Sequence, residues 1–86
     1  MNQYTLLYSP EAKESIQRLP SNLKHIAERV LLTLSGNPFQ GKKLFGKLAG
    51  LYSARITRRY RVIYQINTSK HLIWVLEVAH RKEAYR

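Results

Sequence analysis

The stretch Leu51-Tyr-Ser-Ala-Arg-Ile-Thr-Arg-Arg-Tyr-Arg-Val-Ile-Tyr-Gln-Ile66 holds two runs of β-branched and aromatic residues joined by a charged tip. Such runs predict strands, so the stretch predicts a β-hairpin. It carries four arginines and no acid. A sheet that gathers cations in this way calls for an anionic partner or for a reason to tolerate the repulsion. A two-residue tip at Arg58-Arg59 would pair Thr57 with Tyr60 and send Arg55 and Arg61 to opposite faces. The tip lacks the Asn-Gly or Gly-X chemistry of a tight turn. A longer or bulged connection is therefore expected, with Thr57 opposite Arg61 and both arginines on one face.

Working outward, Asn67 to Lys70 is a turn, and Leu72 to Val78 is almost continuously apolar, as in a central strand buried on both faces. Glu77 interrupts that run. Toward the N-terminus, Tyr4, Leu6 and Tyr8 alternate on one face of a short strand. Ser9-Pro10-Glu11 is a helix start: a hydroxyl cap, proline at the first helical position and an acid near the positive end of the dipole. Ala12, Ile16 and Leu19 follow at helical spacing until Pro20. Ser21 or Asn22 is expected to cap a second helix with an apolar stripe of Leu23, Ile26, Ala27, Val30, Leu31 and Leu34, closed by Gly36 and Pro38. The 37–50 segment, punctuated by Gly41, Gly46 and Gly50, reads as a loop. Leu44, Phe45 and Leu48 would pin it, and it either carries Lys42, Lys43 and Lys47 toward a ligand or is a solvated connection. The predicted order is β-α-α-β-β-β. That is an α+β class: one domain over 1–86, with a twisted, largely antiparallel sheet and an N-terminal helical hairpin packed on one face.

The net charge is +10, and its distribution is uneven. Residues 1–36 hold four basic side chains against three acidic ones; residues 37–86 hold eleven against two. That asymmetry is the footprint of a polyanion-binding surface. The chain has no cysteine, so no disulfide framework or thiolate site is expected. It has no aspartate, which rules out a Ser-His-Asp triad. His25, His71 and His80 lack metal-ligand spacing. No phosphate-cradling glycine motif is present. No apolar run approaches the roughly 20 residues of a membrane span, and no signal peptide is apparent. A cytoplasmic protein without cofactor, metal or membrane partner is expected.

Metal-free RNA cleavage needs a base for the 2′-hydroxyl proton, cations for the phosphorane and an acid for the leaving 5′-oxygen. Arginine suits the second task, being always charged and forked toward phosphate oxygens. Arg55, Arg61 and Arg81 are the candidates. Tyr85 is a candidate for proton exchange or for stacking on an unpaired base. Lys42, Lys43, Lys47, Arg58, Arg59, His80 and Lys82 are candidate RNA- or ribosome-binding residues. His80 continues the face of Trp74, Leu76 and Val78, so it reads equally as a buried structural histidine. Tyr52, Tyr60 and Tyr64 read as core, and Glu77 as an interior partner for an arginine.

Tyr4 to Pro10, Leu44 to Gly50, Tyr52-Ser-Ala-Arg-Ile, Tyr60-Arg-Val-Ile-Tyr and the closing His80-Arg-Lys-Glu-Ala-Tyr-Arg together resemble the RelE/ParE superfamily of type II toxin–antitoxin toxins. The closing pattern is the most specific part, and Pro38-Phe39-Gln40-Gly41 resembles the YoeB branch. The resemblance implies a ribosome-dependent mRNA endonuclease, an mRNA interferase that acts in the A site and inhibits translation. Arg55, Arg61, Arg81 and Tyr85 then stand at its catalytic positions. It also implies a neutralising RelB-like antitoxin, with the toxin monomeric when free and hetero-oligomeric in the complex. A ParE-like inhibitor of DNA gyrase, or a noncatalytic nucleic-acid-binding module, is the alternative. Ser53 stands where many RelE-type members carry lysine, and Lys42-Lys43 where the YoeB branch carries a glutamate base. Either Lys43 or Lys47 then substitutes electrostatically for that glutamate, or the base is a different group, or the reaction is slower; the general base is left open.

Overall fold

In the computed structural model, which describes residues 3–80, the chain runs β1 (Thr5–Tyr8), α1 (Pro10–Gln17), α2 (Ser21–Gly36), β2 (Lys42–Lys43), β3 (Tyr52–Arg55), β4 (Tyr60–Asn67) and β5 (Leu72–His80), with 3-10 turns at Pro38–Gln40 and Gly46–Leu48. The strands form one sheet in the order β1-β5-β4-β3-β2. β1 is parallel to β5, and every other neighbour is antiparallel. This is the expected α+β order with one addition. The 37–50 segment is not wholly a loop, because Lys42 and Lys43 pair with Ser53 and Tyr52 as an edge strand.

Ser9 joins the first strand to the first helix. Its side chain accepts a hydrogen bond from the Ala12 amide at 3.0 Å and donates to the Leu76 carbonyl at 2.6 Å. β1 stops opposite Val75 while β5 runs on to His80, which would leave a bare edge. α1 covers that edge: Ser15 Oγ accepts from the Val78 amide at 3.0 Å. Two helix hydroxyls thus replace the missing strand and satisfy backbone groups that burial would otherwise penalise. α2 starts differently from expectation. Pro20 is its N-cap, no side-chain cap is made, and Ser21 is already helical. Proline fixes the entry φ without a hydroxyl, and the stripe of Ala27, Leu31 and Leu34 then buries the helix.

The main core lies between the helices and one sheet face. Leu34, Val62, Tyr64, Ile73 and Val75 are fully buried there, with Tyr4, Leu6, Tyr8, Tyr52 and Tyr60 packed around them. Each fully buried aliphatic side chain contributes on the order of 1.5–3 kcal/mol. A smaller cluster of Leu44, Ile63 and Ala79, with Leu48, Leu51 and Leu76 against it, lies on the opposite face. β5 serves both faces through a bulge. Ile63 pairs with Glu77 but Tyr64 pairs with Val75, so Leu76 is an extra residue. Before it, Ile73 and Val75 face the helices; after it, Val78 does. The expected face Trp74-Leu76-Val78-His80 is therefore broken. β5 is also less buried than its composition suggests: Trp74 is 42% exposed and Glu77 is exposed. Among the described residues no helix is long and apolar enough to cross a membrane.

Tyr64 pins the segment after α2. It is wholly buried, and its hydroxyl donates to the Pro38 carbonyl at 2.7 Å. Burial pushes its phenol up to about 12, a Gly41 backbone hydrogen bond opposes this, and Tyr52 adds to the rise. A Cβ on Gly41 would overlap the Tyr64 hydroxyl and lie 2.8 Å from the Ser53 carbonyl oxygen. Gly41→Ala should destabilise the fold by about 1–3 kcal/mol. Gly36→Ala, at a helical position with open space around its added methyl, should not destabilise it. Urea unfolding of the two variants checks this. The raised Tyr64 phenol means that the folded state holds this proton more tightly than the unfolded chain. Its contribution is complete below pH 10 and is lost as pH rises toward about 12. Urea melts between pH 9 and 12 should show a steeper alkaline loss for the wild type than for Tyr64→Phe.

Candidate active site

The β3–β4 register puts Arg55 directly opposite Arg61. The two arginines share a face, as expected, but by a different pairing from Thr57 opposite Arg61. The Ile56 and Thr57 amides both donate to the Tyr60 carbonyl, and Arg58 and Arg59 lie exposed in the connection. Ile56 turns inward and is buried in the main core, which draws the hairpin end in by one residue. Like charges directly opposite in a sheet are destabilising.

Position by position, this face reads Lys42, Ser53, Ile63 and Glu77 in one row across the strands, and Arg55, Arg61 and Ala79 in the next. At the β3 edge, where β2 has ended, a notch of about 320 Å³ opens. Lys42, Arg55 and Arg61 line it with the polar groups of Thr33, Gln40 and Ser53. Gln40 is held there by its amide, which donates to the Asn37 carbonyl at 3.0 Å and the Thr33 carbonyl at 3.3 Å. Three cations around a small polar hollow suit a phosphate group, and the arginine forks can take two of its oxygens each.

Of the residues singled out from sequence, the notch unites Lys42, Arg55 and Arg61. Lys43, Lys47, Arg58, Arg59 and His80 do not line it. Lys43 follows Lys42 on the strand and belongs to the other face. Lys47 sits exposed in the second 3-10 turn. His80 is opposite Tyr60, their rings edge to face with centroids 5.6 Å apart, on the helix side of the sheet. The Leu76 bulge is the reason. Glu77, read as an interior partner for an arginine, is exposed and lines a groove beside α1 with Glu11 and Glu14. Arg81, Lys82 and Tyr85 lie outside the described residues. Thr33 and Gln40 were not singled out from sequence. The Asn37-Pro38 turn was the available signal, since it folds Gln40 back over the end of α2. A larger hollow of about 480 Å³, lined by Leu7, Gln65, Lys70, Leu72 and Trp74, lies at the other end of the sheet, away from the arginines.

Removing one charge from the opposed pair should stabilise the fold. Arg55→Gln is expected to gain about 0.2–1 kcal/mol, with the gain shrinking in 1 M salt, as measured by urea unfolding at two ionic strengths.

The model of the ParE toxin of the parDE type II toxin–antitoxin system matches residues 6–85. Toxin RelG of Mycobacterium tuberculosis is 34% identical over 96% of this chain and 97% of its own length. Toxin RelE of the same organism is 35% identical over 96% and 87%. Among solved structures, the toxin–antitoxin complex RelBE2 from M. tuberculosis contains a chain that superposes with a TM-score of 0.81 at 32% identity, covering 92% of this chain and 99% of that one. With nearly the whole chain matched in sequence and in fold, the protein belongs to the RelE/ParE family of toxins from type II toxin–antitoxin systems.

Proposed function

We propose that the chain is a ribosome-dependent endoribonuclease that cuts mRNA in the A site without a metal ion and so stops translation. The observation that carries this reading is the convergence of Lys42, Arg55 and Arg61 on one notch. In such a reaction the 2′-oxygen attacks the adjacent phosphorus, and negative charge grows on the non-bridging oxygens. Arg55 and Arg61 stabilise that charge as preorganised donors. Arg81 adds to them, and Tyr85 stacks on a base or supplies the proton for the leaving oxygen. The ribosome's share is to present single-stranded mRNA in a strained, reactive conformation.

A neutralising antitoxin is the second partner of this reading. The M. tuberculosis relative of known structure was solved as a toxin–antitoxin complex. With +9 concentrated in residues 37–86, the antitoxin segment that covers this face should be acidic or amphipathic. One observation favours a different target: the matching family model is that of ParE. On that reading the toxin inhibits DNA gyrase and cuts no RNA.

Primer extension on mRNA in a defined translation reaction separates the readings. Cuts confined to the A-site codon, and absent on free mRNA, are expected. Arg61→Ala should lower cutting by about 10²–10³-fold. A noncatalytic binding module would lose only about 1–3 kcal/mol of affinity per contact. No cutting, with growth inhibition intact in cells and supercoiling blocked in vitro, would replace the nuclease by the gyrase reading.

A further inference from the structure

The notch gives the proposed reaction its cations without naming its base. Its described lining consists of Val30, Thr33, Leu34, Gln40, Gly41, Lys42, Ser53, Ala54, Arg55 and Arg61. An arginine guanidinium does not give up its proton in a protein. A glutamine amide has no proton to exchange at useful pH, and the Thr33 hydroxyl is engaged with the Arg29 carbonyl at 3.0 Å. Among the described residues, the other titratable groups nearby fail on position. Tyr64 is buried with its hydroxyl given to Pro38. His80 is on the far face. Glu77 lies beyond Ile63 in the same row and lines the groove beside α1. The Ser53 hydroxyl is a far weaker base than an amine, so among the described residues lysine is the remaining chemistry, and the notch holds one.

Lys42 is also held in place. Its backbone pairs with Ser53 across the β2–β3 ladder. On one side the chain is tied by Pro38 to the Tyr64 hydroxyl. On the other, the Leu44 amide donates to the Leu51 carbonyl at 2.9 Å, and the Leu44 side chain is buried against Ile63 and Ala79. Lys42 itself is exposed, and it shares a face with Ser53, Arg55 and Arg61. A fixed backbone with an accessible amine is what a proton acceptor at a substrate-binding surface requires.

We infer that Lys42 is the general base of the cleavage, an assignment that rests on the nuclease reading above. The neutral amine takes the 2′-hydroxyl proton. The freed oxygen pair forms the new O–P bond, and the P–O5′ bond breaks with its electrons on the 5′-oxygen, which takes a proton from water or from the acid of the reading above. The products are a 2′,3′-cyclic phosphate and a 5′-hydroxyl end. Nothing is oxidised or reduced.

The test is single-turnover cutting of mRNA on stalled ribosomes between pH 6.5 and 8.5, with wild type, Lys42→Arg and Lys42→Ala. Lys42→Arg keeps the charge but cannot accept the 2′-hydroxyl proton, so its rate should fall about 10²–10⁴-fold. Lys42→Ala should fall as far and recover in proportion to added ethylamine. Lys42→Arg activity within about threefold of wild type, or a Lys42→Ala loss that ethylamine does not relieve, overturns the assignment while leaving the nuclease in place. A wild-type protein that cuts no mRNA overturns both.

Discussion

The hydrogen bond from Tyr64 to Pro38 is the contact on which the site depends. A phenol buried at the centre of a sheet must find a partner, because an unmade hydrogen bond there costs about 1–3 kcal/mol. The Pro38 carbonyl is that partner, and it belongs to the segment leaving α2. Gly41 lets this segment pass against the Tyr64 ring where any side chain would collide. The chain so guided meets the edge of β3 and pairs for two residues. Core burial, a hydroxyl's need for an acceptor and the absence of one Cβ together deliver Lys42 to the arginine face.

The two sides of the sheet divide the work. The helix side holds most of the buried apolar surface, and the covering of the β5 edge by Ser9 and Ser15 belongs to it. The other side has only a small cluster, Leu44, Ile63 and Ala79, enough to anchor the loop that follows β2. Beside that cluster the sheet sets Arg55 against Arg61, at a cost in stability that binding of an anion would reverse.

Much of the fold was legible because it rests on local chemistry. Ser9-Pro10-Glu11 is a helix start wherever it occurs, and the α2 stripe has a period only a helix can bury on one side. The hairpin and the shared face of Arg55 and Arg61 followed from strand parity and from the lack of a tight-turn motif at the tip. The errors have separate causes. The Thr57–Arg61 pairing rested on a loop length, the face given to His80 on an uninterrupted period of two along β5, and the burial of Trp74 on a strand covered on both faces. The hairpin instead closes one residue earlier, at Ile56, which keeps the period of Tyr52 and Ala54; the extra Leu76 breaks the period of β5; and Trp74 stays 42% exposed.

By itself, the sequence determined the α+β class, the order of the main elements, the uneven charge and the pair of arginines with the chemistry to hold phosphate. These depend on residue type and on short-range periodicity, which a linear chain displays directly. The tertiary structure alone decided which lysine joins those arginines. Lys42, Lys43 and Lys47 are equivalent in composition and close in sequence, and only the β2–β3 register, set by a tyrosine more than twenty residues further along the chain, brings Lys42 to the notch. A register is a long-range agreement between distant backbones, so its outcome exists only once the chain has folded.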